Sequence, residues 1–222
     1  MTNLNKRIFT SLIVFPLSMF FIIKGGNYIV SFLYAILILA NFEAFSVFKR
    51  KTSIIFLDSV LVVSLLSILH LRNDTASSLI LLLWVIMLTI SSDIGGYLFG
   101  KIFKWKKFKY ISPNKTLSGV IGSLIFSIFS LLLLGIMCKV LFKIDLSFFF
   151  KFKYFIFAIV LSLSAQIGDL MVSYFKRLDK IKDTGKILPG HGGIFDRIDS
   201  LMLSIIVANI LYYLKLFPSK KK

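Results

Sequence analysis

Long apolar runs are the feature that most restricts what this chain can fold into. A helix needs roughly 20 apolar residues to cross a bilayer core about 30 Å thick. Runs close to that length lie near residues 8–23, 28–48, 54–71, 77–99, 117–137, 154–175 and 200–216. The sequence therefore predicts an all-α fold, a polytopic transmembrane helix bundle of about seven spans.

The composition indicates that the fold is solvated by lipid. Of the 222 residues, 57% are hydrophobic, and the mean hydropathy is +0.88, far above that of a soluble domain. We predict a single integral membrane domain over residues 1–222. Cys138 is the only cysteine and lies in an apolar run, which leaves no disulfide framework and no thiolate metal cluster. Lys6 and Arg7 precede the first run as in a signal peptide, but no small-residue cleavage site follows, so we expect an uncleaved span.

The net charge of +17 narrows the choice of partners. The basic residues lie between and beside the apolar runs, and no nucleic-acid-binding module is recognisable. The charge therefore indicates an anionic lipid surface and anionic substrates, and no nucleic acid. Basic loops stay on the cytoplasmic side of a membrane, and with the N-terminus inside both large polar loops face the cytoplasm. A polar cleft is predicted on that side.

The polar stretch 173–199 separates the last two runs and concentrates charge. Its basic residues, suited to phosphate, are Lys176, Arg177, Lys180, Lys182, Lys186 and Arg197. Its acidic residues, suited to a divalent cation, are Asp183, Asp196 and Asp199.

A glycine-rich turn lies inside this stretch. Gly190, Gly192 and Gly193 flank His191 just after Pro189. Glycines packed this densely let backbone N–H groups turn toward an anion, so the pattern predicts a phosphate-holding turn. An ordinary surface loop whose basic residues face lipid headgroups fits the same composition.

Carboxylates inside apolar runs are costly, at least about 2.5 kcal/mol at the bilayer centre, so each is expected to face a cavity or a partner. The candidates are Glu43, Asp58, Asp93 and Asp169. On a helix, one face about 100° wide would carry Ser162, Gln166, Asp169, Ser173, Lys176 and Arg177. This polar face predicts a site, and a hydrogen-bonded seam between helices is the alternative.

A second polar constellation lies at the end of the fourth run. Thr89, Asp93, Gly96 and Gly100 share one helical face, with Tyr97 beside them. Small residues there let another helix or a ligand approach the backbone, and close packing alone would explain the glycines but not the aspartate. The following loop is basic, and most of its lysines are expected to face headgroups.

The order of the polar residues matches a known pattern. Along the chain it runs Ser173, Lys176, Arg177, Lys182, Asp183, Pro189, Gly190, His191, Gly192, Gly193, Asp196, Arg197 and Asp199. This string resembles the signature of the phosphatidate cytidylyltransferases, integral membrane enzymes that make CDP-diacylglycerol. Gly168-Asp169 resembles a pair upstream of that signature. Segment 112–116 resembles the family's Ser-Pro-x-Lys-Thr motif, and segment 93–97 its Asp-x-x-Ala-Tyr motif.

The resemblance implies an activity: CTP and phosphatidate react to give CDP-diacylglycerol and pyrophosphate. It implies that Asp169 and Asp196 bind Mg²⁺, and a second cation is an open question. The implied catalytic residues are Asp169, Asp196, Lys176, Arg177, His191 and Arg197. The implied substrate-binding residues are Ser112, Lys115, Thr116, Ser173, Lys182, Gly190, Gly192, Gly193, Asp93 and Tyr97. A homodimer and a bacterial inner membrane are also expected.

The chain departs from the family pattern at two glutamates. Val172 stands where the family has Glu before the serine, and Leu117-Ser118 replaces a Trp-Glu pair. Any second cation site that uses those glutamates is therefore in question. The motifs place the catalytic part at 85–216, while the spans of 1–80 carry no motif.

Several single residues keep two interpretations. His191 can act as a general base, but a phosphate that is already ionised needs none, so donation of a hydrogen bond to phosphate is favoured. Asp183 and Asp199 bind metal or hold Arg197 or Lys182 in place. Glu43 and Asp58 are expected to serve helix packing or insertion.

Two other functions remain open at this point. A related lipid or polyprenol phosphate transferase or kinase would use the same phosphate chemistry. An ion-coupled transporter would also carry intramembrane carboxylates. No internal repeat is visible, and the charges gather on one side, which disfavours transport.

Overall fold

The computed structural model describes residues 3–72, 76–107, 115–142, 152–185, 187–190 and 192–216. These residues form seven α-helices, one for each predicted run. They are α1 (Asn3–Lys24), α2 (Gly26–Val47), α3 (Lys51–Leu71), α4 (Ala76–Phe103), α5 (Leu117–Phe142), α6 (Phe152–Leu178) and α7 (Phe195–Tyr213). The predicted all-α bundle is confirmed.

The helices are suited to a bilayer. Helices α1 to α6 each contain a segment long and apolar enough to cross a membrane. In α7 the first two turns carry three charged residues, and the continuous apolar part begins after Ser200. Phe42, Phe45 and Ile55 are each at least 65% exposed, which would favour aggregation in water but suits contact with acyl chains. The chain is an integral membrane protein.

Helices α4 and α5 pack closely through glycines on both sides of their contact. A Cβ atom added to Gly122 would lie 2.5 Å from the carbonyl oxygen of Gly95, and one added to Gly119 would lie 2.9 Å from that of Gly96. Side chains do not tolerate such distances, so glycine is what lets the two backbones approach. This is the close helix contact that the sequence suggested for Gly96.

Helices α6 and α7 meet in the same way at one point. A Cβ atom on Gly168 would lie 2.6 Å from the carbonyl oxygen of Asp199. The contact puts Asp169, the next residue of α6, beside the first turns of α7. Away from this polar end, Trp84 of α4 fills the core, packing edge-to-face on Tyr154 of α6.

The connection between α2 and α3 is tied to the end of α6. Buried Asp179, just after α6, accepts hydrogen bonds from the backbone N–H groups of Lys49 (3.3 Å) and Arg50 (2.9 Å). Such bonds satisfy donors at the start of a helix, here α3. The motif-free N-terminal helices are thus fixed to the polar α6–α7 loop, residues 179–194.

We predict that Gly122→Ala destabilises the bundle by roughly 1–3 kcal/mol, because its methyl group must push α4 and α5 apart. The measurement is thermal unfolding of the purified protein in detergent. Leu132→Ala, at a 44% exposed position on the same helix, is the control and should change the stability little. Equal stability of Gly122→Ala and the wild type would contradict the packing described.

Candidate active site

A cavity of about 400 Å³ lies where α4, α5, α6 and α7 meet. Four carboxylates line it: Asp93, Asp169, Asp196 and Asp199. The rest of the lining is Gly96, Tyr97, Lys115, Thr116, Gly119, Val120, Ser123 and Gln166. The two predicted metal ligands, Asp169 and Asp196, therefore share one cavity although they lie on different helices.

Lys115 reaches this cavity from the start of α5. Its Nζ atom lies 2.6 Å from Oδ2 of Asp169 and 3.3 Å from the carbonyl oxygen of Gln166. The next residue, Thr116, accepts a hydrogen bond from the backbone N–H of Gly119 (3.1 Å) and so caps α5. The cap fixes where α5 begins and thereby where Lys115 stands.

Asp196 lies in the first turn of α7, before its apolar part, and has three donors, with a hydroxyl group close by. Lys176 Nζ lies 2.7 Å from Oδ1, while Oδ2 accepts from the backbone N–H groups of Thr184 (2.8 Å) and Gly193 (3.2 Å) and lies 3.1 Å from the Thr184 hydroxyl. Burial favours the protonated acid, but these partners outweigh it and lower the pKa of Asp196. The residue is therefore a carboxylate at neutral pH.

The other two acidic side chains, Asp93 and Asp199, have fewer compensating partners. Asp93 accepts a hydrogen bond from the Ser200 hydroxyl (2.9 Å). Burial, and then the negative charge of Asp169, raise the pKa of Asp199 above its ordinary value. Of the two interpretations of Asp199, its position favours membership of the carboxylate cluster over pairing with Arg197 or Lys182.

The predicted polar face of α6 divides into two parts. Ser162, deep in the bundle, shares a hydrogen bond with Ser92 of α4 (2.8 Å), which is the seam between helices weighed as the alternative. Nearer the loop, the Ser173 hydroxyl donates to Oδ1 of Asp169 (3.3 Å), and Lys176 binds Asp196. A seam and a site therefore lie on one face.

The glycine-rich turn holds carboxylates of the protein itself. Gly190 and Gly192 have φ values of 78° and 88°, which favour glycine. The N–H of Gly193 donates to Asp196. The next two N–H groups, of Ile194 (2.7 Å) and Phe195 (3.2 Å), donate to Glu43. The N–H groups do turn toward anions, as the sequence suggested, and contact of the glycines with substrate phosphate stays a prediction.

The remaining predicted residues lie outside the lining of the cavity. Arg177, Lys182 and Asp183 are exposed, and Arg177 donates to the carbonyl oxygen of Ile181 (3.3 Å). Arg197 is exposed in the first turn of α7. Ser112 and His191 fall outside the described residues.

The carboxylate oxygens of the cavity suit Mg²⁺ as ligands. This ion prefers oxygen and usually takes one or two carboxylates, with water and substrate phosphate completing the shell. Among the described residues, no group of three or more His, Cys, Asp or Glu side chains is placed to hold a metal ion. A pair of aspartates on a cavity with room for phosphate fits that coordination. The family's glutamate positions contribute less, because Val172 is fully buried and apolar and Ser118 is buried against Thr116.

Sequence reasoning missed the residues that hold the loop. Glu43 of α2 is 1% exposed and accepts three hydrogen bonds from the loop and the start of α7, beyond the packing role expected for it. Thr184, fully buried, lies between Glu43 and Asp196. From α1, Arg7 and Thr10 donate to the carbonyl oxygens of Gly190 and Pro189, each at 2.8 Å. The one signal in the sequence was the presence of Glu43 inside an apolar run.

The chain resembles known proteins over most of its length. A model described as the cytidylyltransferase family matches residues 48–215. Several relatives carry the name phosphatidate cytidylyltransferase. The one from Staphylococcus haemolyticus is 40% identical over 146 residues, and the one from Staphylococcus saprophyticus is 40% identical over 144 residues. A relative of the same name from Staphylococcus aureus is 39% identical over 136 residues.

These alignments cover 63%, 64% and 59% of this chain and 50%, 53% and 48% of the respective relatives. The chain thus spans about half the length of the curated relatives it matches. The matched family region contains Asp93, Lys115 and the whole stretch 173–199, and therefore the entire cavity lining. The chain belongs to the cytidylyltransferase family.

Proposed function

We propose that this protein transfers CMP from CTP to phosphatidate, giving CDP-diacylglycerol and pyrophosphate. The observation that carries the proposal is the shared cavity of Asp169, Asp196 and Lys115, which joins the separate motifs of the sequence in one place. The relatives named phosphatidate cytidylyltransferase support the choice of nucleotide and lipid.

The charges around the cavity suit a nucleotide triphosphate and a phosphate-bearing lipid. Lys115 and Lys176 are each paired with an aspartate, Asp169 and Asp196. Were those aspartates to hold Mg²⁺, both ammonium groups would be available to bind phosphate oxygens. Arg177 and Arg197 lie on the neighbouring polar surface and add to the positive charge there.

The reaction is a displacement at phosphorus. A phosphate oxygen of phosphatidate attacks the α-phosphorus of CTP in line, and the bond from that phosphorus to the bridging oxygen of the β-phosphate breaks. The bonding electrons leave with pyrophosphate. Lysine and arginine side chains offset the negative charge that gathers on the non-bridging oxygens. The protein also contributes by holding the two substrates in line for the displacement.

Asp169 and Asp196 would hold Mg²⁺, which when bound neutralises the triphosphate and favours the departure of pyrophosphate. A second cation would lack the family's two glutamates. The cavity would open toward the cytoplasm, since both basic loops belong on that side, and the membrane would be a bacterial inner membrane. Association into a homodimer remains a prediction from the resemblance.

The position of a radioactive label tests the reaction. The purified protein is given phosphatidate, Mg²⁺ and CTP labelled in either the α- or the γ-phosphate. CMP transfer predicts lipid-soluble label from α-labelled CTP only. Label from γ-labelled CTP would instead indicate a kinase, and uptake into liposomes without a lipid product would indicate a transporter.

We predict that Asp196→Asn lowers kcat by roughly a hundredfold or more, because it removes a charge from the cation site. The assay measures lipid-soluble product against Mg²⁺ concentration. Asp58→Asn, which changes a carboxylate of α3 outside the cavity, is the control and should retain activity. Near-normal turnover of correctly inserted Asp196→Asn would contradict the assignment.

We predict that Lys115→Ala reduces kcat/KM for CTP roughly tenfold to a hundredfold, since a hydrogen bond to a charged group contributes about 1.5–3 kcal/mol. Lys106→Ala is the control, because this exposed lysine lies in the same basic loop but not in the cavity lining. Equal losses in both variants would indicate a general effect of positive charge at the membrane surface.

A further inference from the structure

Glu43 lies in the motif-free N-terminal part, before the matched residues 48–215, yet it reaches the polar end of the bundle. Its side chain is 1% exposed. The Thr184 hydroxyl and the N–H groups of Ile194 (2.7 Å) and Phe195 (3.2 Å) point at its two oxygens. One carboxylate therefore joins α2 to the loop and to the start of α7.

A short relay connects Glu43 to Asp196. The Thr184 hydroxyl has one hydrogen, and its shorter contact is with Glu43. The backbone N–H of the same threonine donates to Oδ2 of Asp196 at 2.8 Å. Fixing Thr184 by its side chain thus fixes the donor that orients Asp196.

The surrounding backbone leaves room for this carboxylate. Cβ atoms added to Gly185 or Gly193 would collide with the carboxyl group of Glu43; at Gly185 the distance to Oε2 would be 2.9 Å. Gly193 also donates its N–H to Asp196. The same glycine therefore packs on one carboxylate and orients the other.

Packing alone does not account for an acid at this position. A buried carboxylate is costly unless donors compensate it, whereas leucine or methionine would fill space in α2 without that cost. Here the three donors come from the segment that carries Asp196, including the start of α7, where negative charge is favourable. The buried charge of Glu43 is compensated only when the loop is ordered, and the loop in turn is held in place by Glu43.

We propose that Glu43 is a positioning residue of the active site, which holds Thr184 and the first turn of α7 so that Asp196 points into the cavity. This inference rests on the proposed function for its catalytic consequence. Its structural part, the restraint of the loop by Glu43, stands independently of the reaction.

The test uses Glu43→Gln in the full chain, purified in detergent. Glutamine keeps the shape of the side chain but replaces one oxygen by an NH₂ group, which cannot accept the hydrogen bonds that converge there. Amide hydrogen exchange at Ile194 and Phe195 should become roughly tenfold faster, and exchange in α4 and α5 should not change. The Mg²⁺ concentration for half-maximal activity should rise, or kcat should fall, roughly tenfold to a hundredfold.

Two further comparisons separate positioning from general damage. Thr184→Ser keeps the hydroxyl and should retain most activity, whereas Thr184→Val removes it at equal size and should behave like Glu43→Gln. Asp58→Asn is the matched control for loss of an intramembrane carboxylate, and should leave exchange at 194–195 and the Mg²⁺ requirement unchanged.

Each outcome distinguishes the two proposals. Faster exchange confined to the loop and the start of α7, with a higher Mg²⁺ requirement or a lower kcat, supports the inference. Faster exchange throughout the bundle, or unchanged exchange and kinetics, overturns it. If the wild type makes no lipid product while Glu43→Gln still loosens residues 194–195, the proposed function fails and the restraint by Glu43 stands.

Discussion

The buried carboxylate of Glu43 is the interaction on which the polar end of this bundle depends. The α6–α7 loop carries the middle of the signature, and three isoleucines, Ile181, Ile187 and Ile194, pack it against the apolar core. Its buried polar groups still need partners. A single acidic side chain from α2 supplies acceptors for its threonine and for the first N–H groups of α7. Because the N–H groups of Ile194 and Phe195 would otherwise be buried without partners, the order of the loop and the start of the helix are coupled.

Charge compensation explains why four aspartates can line one cavity beside a membrane. Asp196 is compensated by Lys176 and two backbone N–H groups, and Asp169 by Lys115 and Ser173. Asp93 and Asp199 have hydroxyl or backbone donors but no ion pair within 4 Å among the described residues. Burial and repulsion from Asp169 raise the pKa of Asp199, so a cation in the cavity would favour the ionised form of the cluster. A cation bound there would release lysines for phosphate.

The sequence predicted the elements better than it predicted their connections. Apolar length identified all seven helices, and helical periodicity placed Asp169, Ser173 and Lys176 on one face, because both depend on local geometry. The link from Glu43 to residue 194 crosses 151 positions, and no local pattern encodes it. The cost of an acid in an apolar run signalled that Glu43 has a partner, but not which one.

Packing and chemistry share residues where α4 meets α5. Gly96 and Gly119 let the two backbones approach, and both also line the cavity. A side chain at either position would separate the helices and occupy space that a substrate needs. Since α5 begins directly after Lys115, a shift of α5 would also move the ammonium group away from Asp169. The glycines therefore help to set the distance between Lys115, at the start of α5, and Asp169 of α6.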